Sequence, residues 1–255
     1  MIERLLKYRF LFEELVKRDF KAKYKRTVLG MVWSVLSPLL MLTVMAIIFG
    51  NFFGRNIEHY VIYLFSGQVI FNYFTEATNE GMLALVNNSS IFTKINVPKY
   101  LFLFSKNVSA LINFSIILVI YFCFVAIDGI SFTWQFLLLV YPVICLIIMN
   151  LGIGLILSAL YIFFKDIQYL YRLFTQVVMY GSAIFYSIDI LPQHLQAVFY
   201  CNPIFVFITY FRSIVLYNTV PDLRMHLLLA GYALALFAIG CWIYKKNNYK
   251  FLYYV

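Results

Sequence analysis

Six long apolar runs punctuate the chain, at about residues 29–53, 60–86, 100–127, 133–164, 168–190 and 225–244. Crossing roughly 30 Å of hydrocarbon at 1.5 Å per residue takes about 20 apolar residues, so each run has the length of a membrane-spanning helix. Residues 1–27 carry a different pattern. Leu5, Phe12, Leu15, Val16 and Phe20 fall on one side of a 3.6-residue wheel, and Lys7, Glu14, Arg18, Lys21 and Lys25 on the other. That period predicts an amphipathic helix lying flat in the membrane interface. Charge runs all through this segment, and no compact apolar core precedes a small-residue cleavage site, so it does not read as a signal peptide.

The stretch 191–217 is apolar and aromatic but is split by Pro192 and by the pair Asn202, Pro203. Each half is too short to cross, and a residue before proline is biased away from helix. Two half-helices that dip in and return, a re-entrant hairpin, fit this pattern. The charges agree with that reading. With the N-terminus inside and six spans, all of the 20 Lys and Arg except Arg55, Arg212 and Arg224 fall in cytoplasmic segments. A full crossing at 191–217 would carry Lys245, Lys246 and Lys250 to the wrong side. The expected fold is an all-α polytopic membrane protein forming one transmembrane domain over 1–255. Its parts are the interface helix 1–27, five spans within 28–190, the hairpin 191–217 and a sixth span at 225–244, with both termini cytoplasmic.

Composition strengthens the membrane assignment and narrows the chemistry. Hydrophobic residues make up 64% and charged residues 12%, with a mean hydropathy of +0.86, against about half and a quarter in soluble proteins. Little chain remains for a second, soluble domain. The net charge of +9 is a topology signal here rather than a sign of nucleic-acid binding. Cys123, Cys145, Cys201 and Cys241 have no paired spacing for zinc, redox or disulfide chemistry. No GxxxxGK[ST], HExxH or GxSxG motif occurs, so no metal or cofactor site is expected and energy for any work must come from another chain.

Polar residues inside spans are costly and point to function. Gln68, Asn72, Glu76 and Glu80 recur every four residues, with Tyr73 and Asn79 beside them, and Gln168, Arg172, Thr175 and Gln176 form a similar stripe. They either line a polar route or bond between helices, with Glu80 and Arg172 sitting at cytoplasmic helix ends. Asn150, Gly154 and Ser158 form a third stripe suited to close helix packing. Aromatic residues reach 20%, and Tyr63, Phe71, Tyr73, Phe74, Tyr180, Phe185 and Tyr186 lie too deep for interfacial belts. Such rings either stack against sugar C–H faces or pack conventionally. The candidate pathway set is therefore Tyr63, Gln68, Asn72, Tyr73, Glu76, Thr175, Gln176, Phe185 and Tyr186. The loop 87–99, NNSSIFTKINVPK, is expected to form a short element capped by Ser89 or Ser90 and ended by Pro98. Its Ile91, Phe92, Ile95 and Val97 need covering by a partner or by the bilayer, which makes Asn87, Ile91, Phe92, Lys94, Ile95, Val97 and Pro98 a candidate docking element.

Four blocks in order, KYKRTVLGMVWSVLSPLLMLTVMAIIFG, NNSSIFTKINVPKYLFLFSKNVSALINF, KDIQYLYRLFTQVVMYGSAIFYSIDILP and CNPIFVFITYFRSIVL, cover nearly the whole chain. They resemble the permease subunit of type-2 ABC exporters of bacterial cell-surface polysaccharide, the O-antigen and teichoic acid exporter family. The resemblance implies a homodimer in the bacterial cytoplasmic (inner) membrane with the pathway between protomers. It implies two copies of a separate ATPase subunit, which would bind the ATP and Mg, leaving no cofactor in this chain. It further implies that the interface helix and the loop around 87–98 contact that ATPase and that the hairpin shapes the exit. A polyprenyl diphosphate-linked glycan would approach near Lys21, Lys23, Lys25 and Arg26, although topology anchoring already accounts for these cations. The alternatives are a type-2 ABC exporter of a drug or lipid, and a polytopic enzyme acting on lipid-linked sugars. An enzyme would need Asp128, Asp189, His194 and Asp222, scattered along the outer loops, to converge.

Overall fold

The computed structural model describes residues 8–24, 28–54 and 57–254. It is helical throughout, with no strand among the described residues. In chain order the helices are α1 (Arg9–Tyr24), α2 (Trp33–Phe53), α3 (Tyr60–Asn87), α4 (Ser89–Phe92), α5 (Tyr100–Ile127), α6 (Val140–Phe163), α7 (Ile167–Tyr180), α8 (Gln193–Phe199), α9 (Pro203–Val215) and α10 (Leu223–Asn247). Short 3₁₀ turns lead into α2 (Gly30–Val32) and α6 (Trp134–Leu139). Pro142 sits in the first turn of α6, whereas Pro38 lies inside α2.

Among the described residues, four segments are long and apolar enough to cross a bilayer, Gly30–Phe53, Tyr100–Ile127, Trp134–Phe163 and Leu223–Asn247. The chain is thus a multi-pass membrane protein. A fifth candidate is the pair α8 and α9, which meet at 101°. Asn202 makes that bend, its Oδ1 accepting from the Ile204 N–H at 3.0 Å while Pro203 occupies the first helical turn. At 28 residues α3 also has the length, about 42 Å, but its polar stripe interrupts the apolar run.

That helix is the centre of the molecule. It packs along α5 and α6, and α2 and α9 lie against it, so most of its length is buried. Small residues allow the closest approaches. A Cβ on Gly81 of α3 would come within 3.1 Å of the Gly154 Cα on α6, and one on Gly152, on the opposite face of α6, within 2.5 Å of the Phe237 N on α10. The packing role expected of Gly154 and of the buried Asn150 and Ser158 is what the fold uses.

The helix expected over 168–190 ends instead at Tyr180, after 14 residues, about 21 Å and short of a full hydrocarbon crossing. The cause is tertiary. Asn202 Nδ2 donates to the Gly181 carbonyl and the Ser182 hydroxyl, both at 2.9 Å. Ala183 adopts a left-handed conformation with φ of 48°, and Arg212 gathers the carbonyls of Ala183 and Ile184. Polar partners from α9 and its cap replace the helical bonds that a continued α7 would make.

Candidate functional site

The polar face of α3 opens into a groove of about 740 Å³ bounded by the end of α1, the start of α2 and the middle of α5. Asn72, Thr75, Glu76 and Asn79 share that face through their three- and four-residue spacing, and Ser34 and Ser37 of α2 oppose them. Lys23 reaches in from α1, its Nζ 2.6 Å from Glu76 Oε1, while Asn113 of α5 donates to Glu76 Oε2 at 2.8 Å. Trp33 and Met41 supply the apolar wall. A half-buried carboxylate thus has a cation on one oxygen and an amide on the other, the pairing that burial of a charge requires.

A second set of charges docks α1 on the bundle. Leu15 is buried in one apolar cluster with Leu85, Phe92 and Phe102. The Asp19 carboxylate, buried as well, receives Arg18 at 2.8 Å, the Ser105 hydroxyl at 3.3 Å and Lys106 at 3.4 Å. Lys106 also meets Glu80 at 2.9 Å, and Arg18 donates to the Asn88 amide oxygen at 2.7 Å. Glu80 is therefore a partner in helix docking. The outer face of α1 carries the pairs Arg9–Glu13 and Lys17–Glu14. The hydrogen bond from Arg9 holds the Glu13 carboxyl below its ordinary range, and the one to Glu14 raises Lys17.

Of the cations expected to attract a lipid diphosphate, Lys21 is exposed and Lys23 is in the groove. Lys25 and Arg26, like Leu5 and Lys7, lie outside the described residues. Of the pathway set, only Asn72 and Glu76 reach the groove. Tyr73 is buried, donating to Asn107 Oδ1 at 3.2 Å and stacked on Phe114. Gln68 is buried, with no partner for its Oε1 among the described residues. On α7 the Thr175 hydroxyl turns back to the Arg172 carbonyl, and Gln176 is exposed among Leu173, Phe174, Val177 and Tyr180.

Tyr63, Phe185 and Tyr186 come together at the other end of α3. Tyr63 donates to the Tyr186 carbonyl at 2.7 Å, Tyr60 to the Phe185 carbonyl at 2.9 Å, and the Phe185 ring stacks on Phe49. Their organiser is Arg212, which the charge pattern puts on the outer side but which is buried. The signal for it was a lone arginine within an apolar, proline-split stretch.

The loop after α3 departs from expectation in two respects. Phe92 and Val97 are covered by the chain itself, packed with Leu85, Leu101 and Phe102, so they need no outside partner. Asn87, Lys94 and Ile95 are exposed, Ile95 by 58%, whereas Ile91 and Pro98 are half-buried. The cap position of α4 is Asn88 rather than a serine, and its amide bonds back to the Ala84 carbonyl. Asp128 pairs with His59, and Asp222 caps α10. No group of three or more His, Cys, Asp or Glu suited to a metal occurs among the described residues.

Sequence relatives agree with this architecture. An O-antigen export system permease protein of Klebsiella pneumoniae is 25% identical over 251 residues, 95% of each chain. Its counterpart in Myxococcus xanthus is 24% identical over 98% of this chain and 97% of its own. A polysialic acid transport protein of Escherichia coli is 22% identical over 92% of this chain and 93% of its own. The family described as ABC-2 type transporter matches residues 11–216. With a multi-pass helical bundle bearing a polar groove, this match makes the chain a member of the ABC-2 type transporter membrane family.

Proposed function

We propose that this chain is the permease subunit of an ATP-driven exporter that moves a polysaccharide, carried on a polyprenyl diphosphate, out across the bacterial cytoplasmic membrane. The observation that carries the reading is similarity over nearly the full length to permeases named for O-antigen export and polysialic acid transport. Nothing in the sequence supplies a nucleotide-binding motif, so the energy comes from a separate ATPase, two copies serving a homodimer. In this reading six segments cross, the fifth made of α7 together with the non-helical stretch 181–187 that runs on to the Tyr60–Tyr63 end of α3; α8 and α9 form a re-entrant hairpin at the outer side, and both termini face the cytoplasm.

The groove suits the cytoplasmic approach of the carrier. Lys23 in the groove and Lys21, exposed on α1, offer cations to the diphosphate, and Asn72, Asn79 and Asn113 of the groove offer amides to sugar hydroxyls. The outward apolar faces of α2 and α7, carrying Val44, Ile47, Leu173, Phe174 and Val177, suit the boundary between protomers. The exposed residues Asn87, Lys94 and Ile95, together with the outer face of α1, suit the contact with the ATPase. Closure of the ATPase pair on ATP then moves α1 and the loop, and the coupling energy is the difference in their contacts between the two nucleotide states.

Reconstitution tests this directly. Vesicles holding this chain, its ATPase and a polyprenyl diphosphate-linked glycan should show ATP-dependent movement of the glycan to the far leaflet. Stimulated hydrolysis accompanied by movement of a plain lipid or a drug, and no glycan, would overturn the substrate assignment in favour of another ABC-2 exporter.

A further inference from the structure

A slot of about 820 Å³, which shares no lining residue with the groove, lies between the start of α5, α6 and the end of α10. Its mouth is cationic and polar, with Lys99, Lys245 and Asn248, and its depth is apolar, with Phe104, Leu155 and Phe237. Phe237 is about 12 Å below Lys245 along the α10 axis, some two helical turns into an apolar span. The inner end lies at the tight crossing of α6 and α10, where a Cβ on Gly240 would stand 2.4 Å from the Gly152 carbonyl oxygen and 3.1 Å from the Leu155 Cβ.

The charges at the mouth lack an acidic counterpart. Lys99 donates to the Asn248 carbonyl at 2.7 Å and stands 5.7 Å from the rings of both Phe92 and Phe251. Among the described residues no Asp or Glu lines the slot or pairs with Lys99 or Lys245. Burial holds Lys99 below the ordinary lysine value, a cost that a nearby anion offsets. Tyr244 in the wall is only 7% exposed, and neither its hydroxyl nor that of Tyr100 beside the mouth has a hydrogen-bond partner among the described residues.

We propose that this slot binds one anionic glycerophospholipid, its phosphate held at Lys99 and Lys245 and one acyl chain lying along Phe104, Leu155 and Phe237. A cationic rim over an apolar cleft between membrane helices is the arrangement that selects such headgroups. A segment of a soluble partner fits less well, because the cleft descends into the apolar part of α10 and α6. The site stands apart from the groove and does not depend on what the permease exports.

Cys241 lines the slot and is exposed, which provides the readout. The full-length chain in detergent is treated with N-ethylmaleimide, and modification of Cys241 is followed by peptide mass spectrometry, with exposed Cys123 and Cys201 as controls. Phosphatidylglycerol at about ten times its dissociation constant should slow Cys241 labelling roughly tenfold, because only the unoccupied fraction reacts. Phosphatidylcholine and inorganic phosphate should leave the rate unchanged, and Lys99→Gln/Lys245→Gln should abolish the protection. Equal protection by both lipids, protection by phosphate alone, or labelling insensitive to phosphatidylglycerol would each overturn the proposal.

Discussion

The Arg212 guanidinium lies 3.4 Å from the centre of the Tyr63 ring and donates to the Tyr63 carbonyl at 3.0 Å. It also donates to the Ser66 hydroxyl and to the carbonyls of Ala183 and Ile184. A buried cation is thus neutralised by dipoles and a ring face, with no carboxylate among its described partners. One side chain from α9 ties α3 to the turn that ends α7.

Arg212→Met should therefore destabilise the fold by about 3 kcal/mol, since charge-assisted hydrogen bonds are worth roughly 1.5–3 kcal/mol each and are not additive. Arg212→Lys should recover little, because an ammonium cannot reproduce the planar fork. Thermal unfolding in detergent, with the exposed Arg224→Met as reference, measures both. Midpoints equal to the parent would show that the carbonyls find other donors.

The crossing of α6 and α10 predicts intolerance to a single methyl. At Gly152 an alanine Cβ meets backbone atoms of Leu236 and Phe237 at 2.5–2.6 Å, so the helices must separate, at a cost of about 1–3 kcal/mol or more. Gly231 on α10 has nothing within 4 Å of the same position, and Gly231→Ala should be tolerated. Size-exclusion profiles of the detergent-solubilised variants distinguish these outcomes.

In the groove, Glu76 competes with any bound anion for Lys23. Glu76→Gln removes this counter-charge, and glycan-stimulated hydrolysis by the partner ATPase should then rise at low glycan concentration, whereas Lys23→Gln should lower it. The pair itself is partly exposed, so its contribution to stability is small, roughly 0.5–1 kcal/mol in a double-mutant cycle. Equal losses of hydrolysis from both substitutions would mark the pair as purely structural.

Burial divides the loop after α3 into two kinds of position. Phe92→Ala should cost about 3–5 kcal/mol, because its ring fills the chain's own core. Lys94→Glu and Ile95→Asp, both exposed, should leave the thermal midpoint unchanged while lowering the amount of ATPase that co-purifies. Undiminished co-purification with both would remove this loop from the contact.

Read alone, the sequence determined the helices whose cause is local. The third apolar run, residues 100–127, coincides with α5, and the wheel through Leu15 and Phe20 coincides with α1, because apolar length and periodicity act within one segment. It also located Asn72 and Glu76 on a shared face, since helical spacing is enough for that. Only the tertiary structure decided the rest. α7 stops at Tyr180 because Asn202 and Arg212, more than 20 residues later in the chain, take its next polar groups. Phe92 and Val97 turn inward because Leu101 and Phe102 cover them, and Glu76 has a counter-ion because Lys23 arrives from α1. Such outcomes depend on which distant groups meet, and hydrophobic periodicity records only which face is buried, not the partner that buries it.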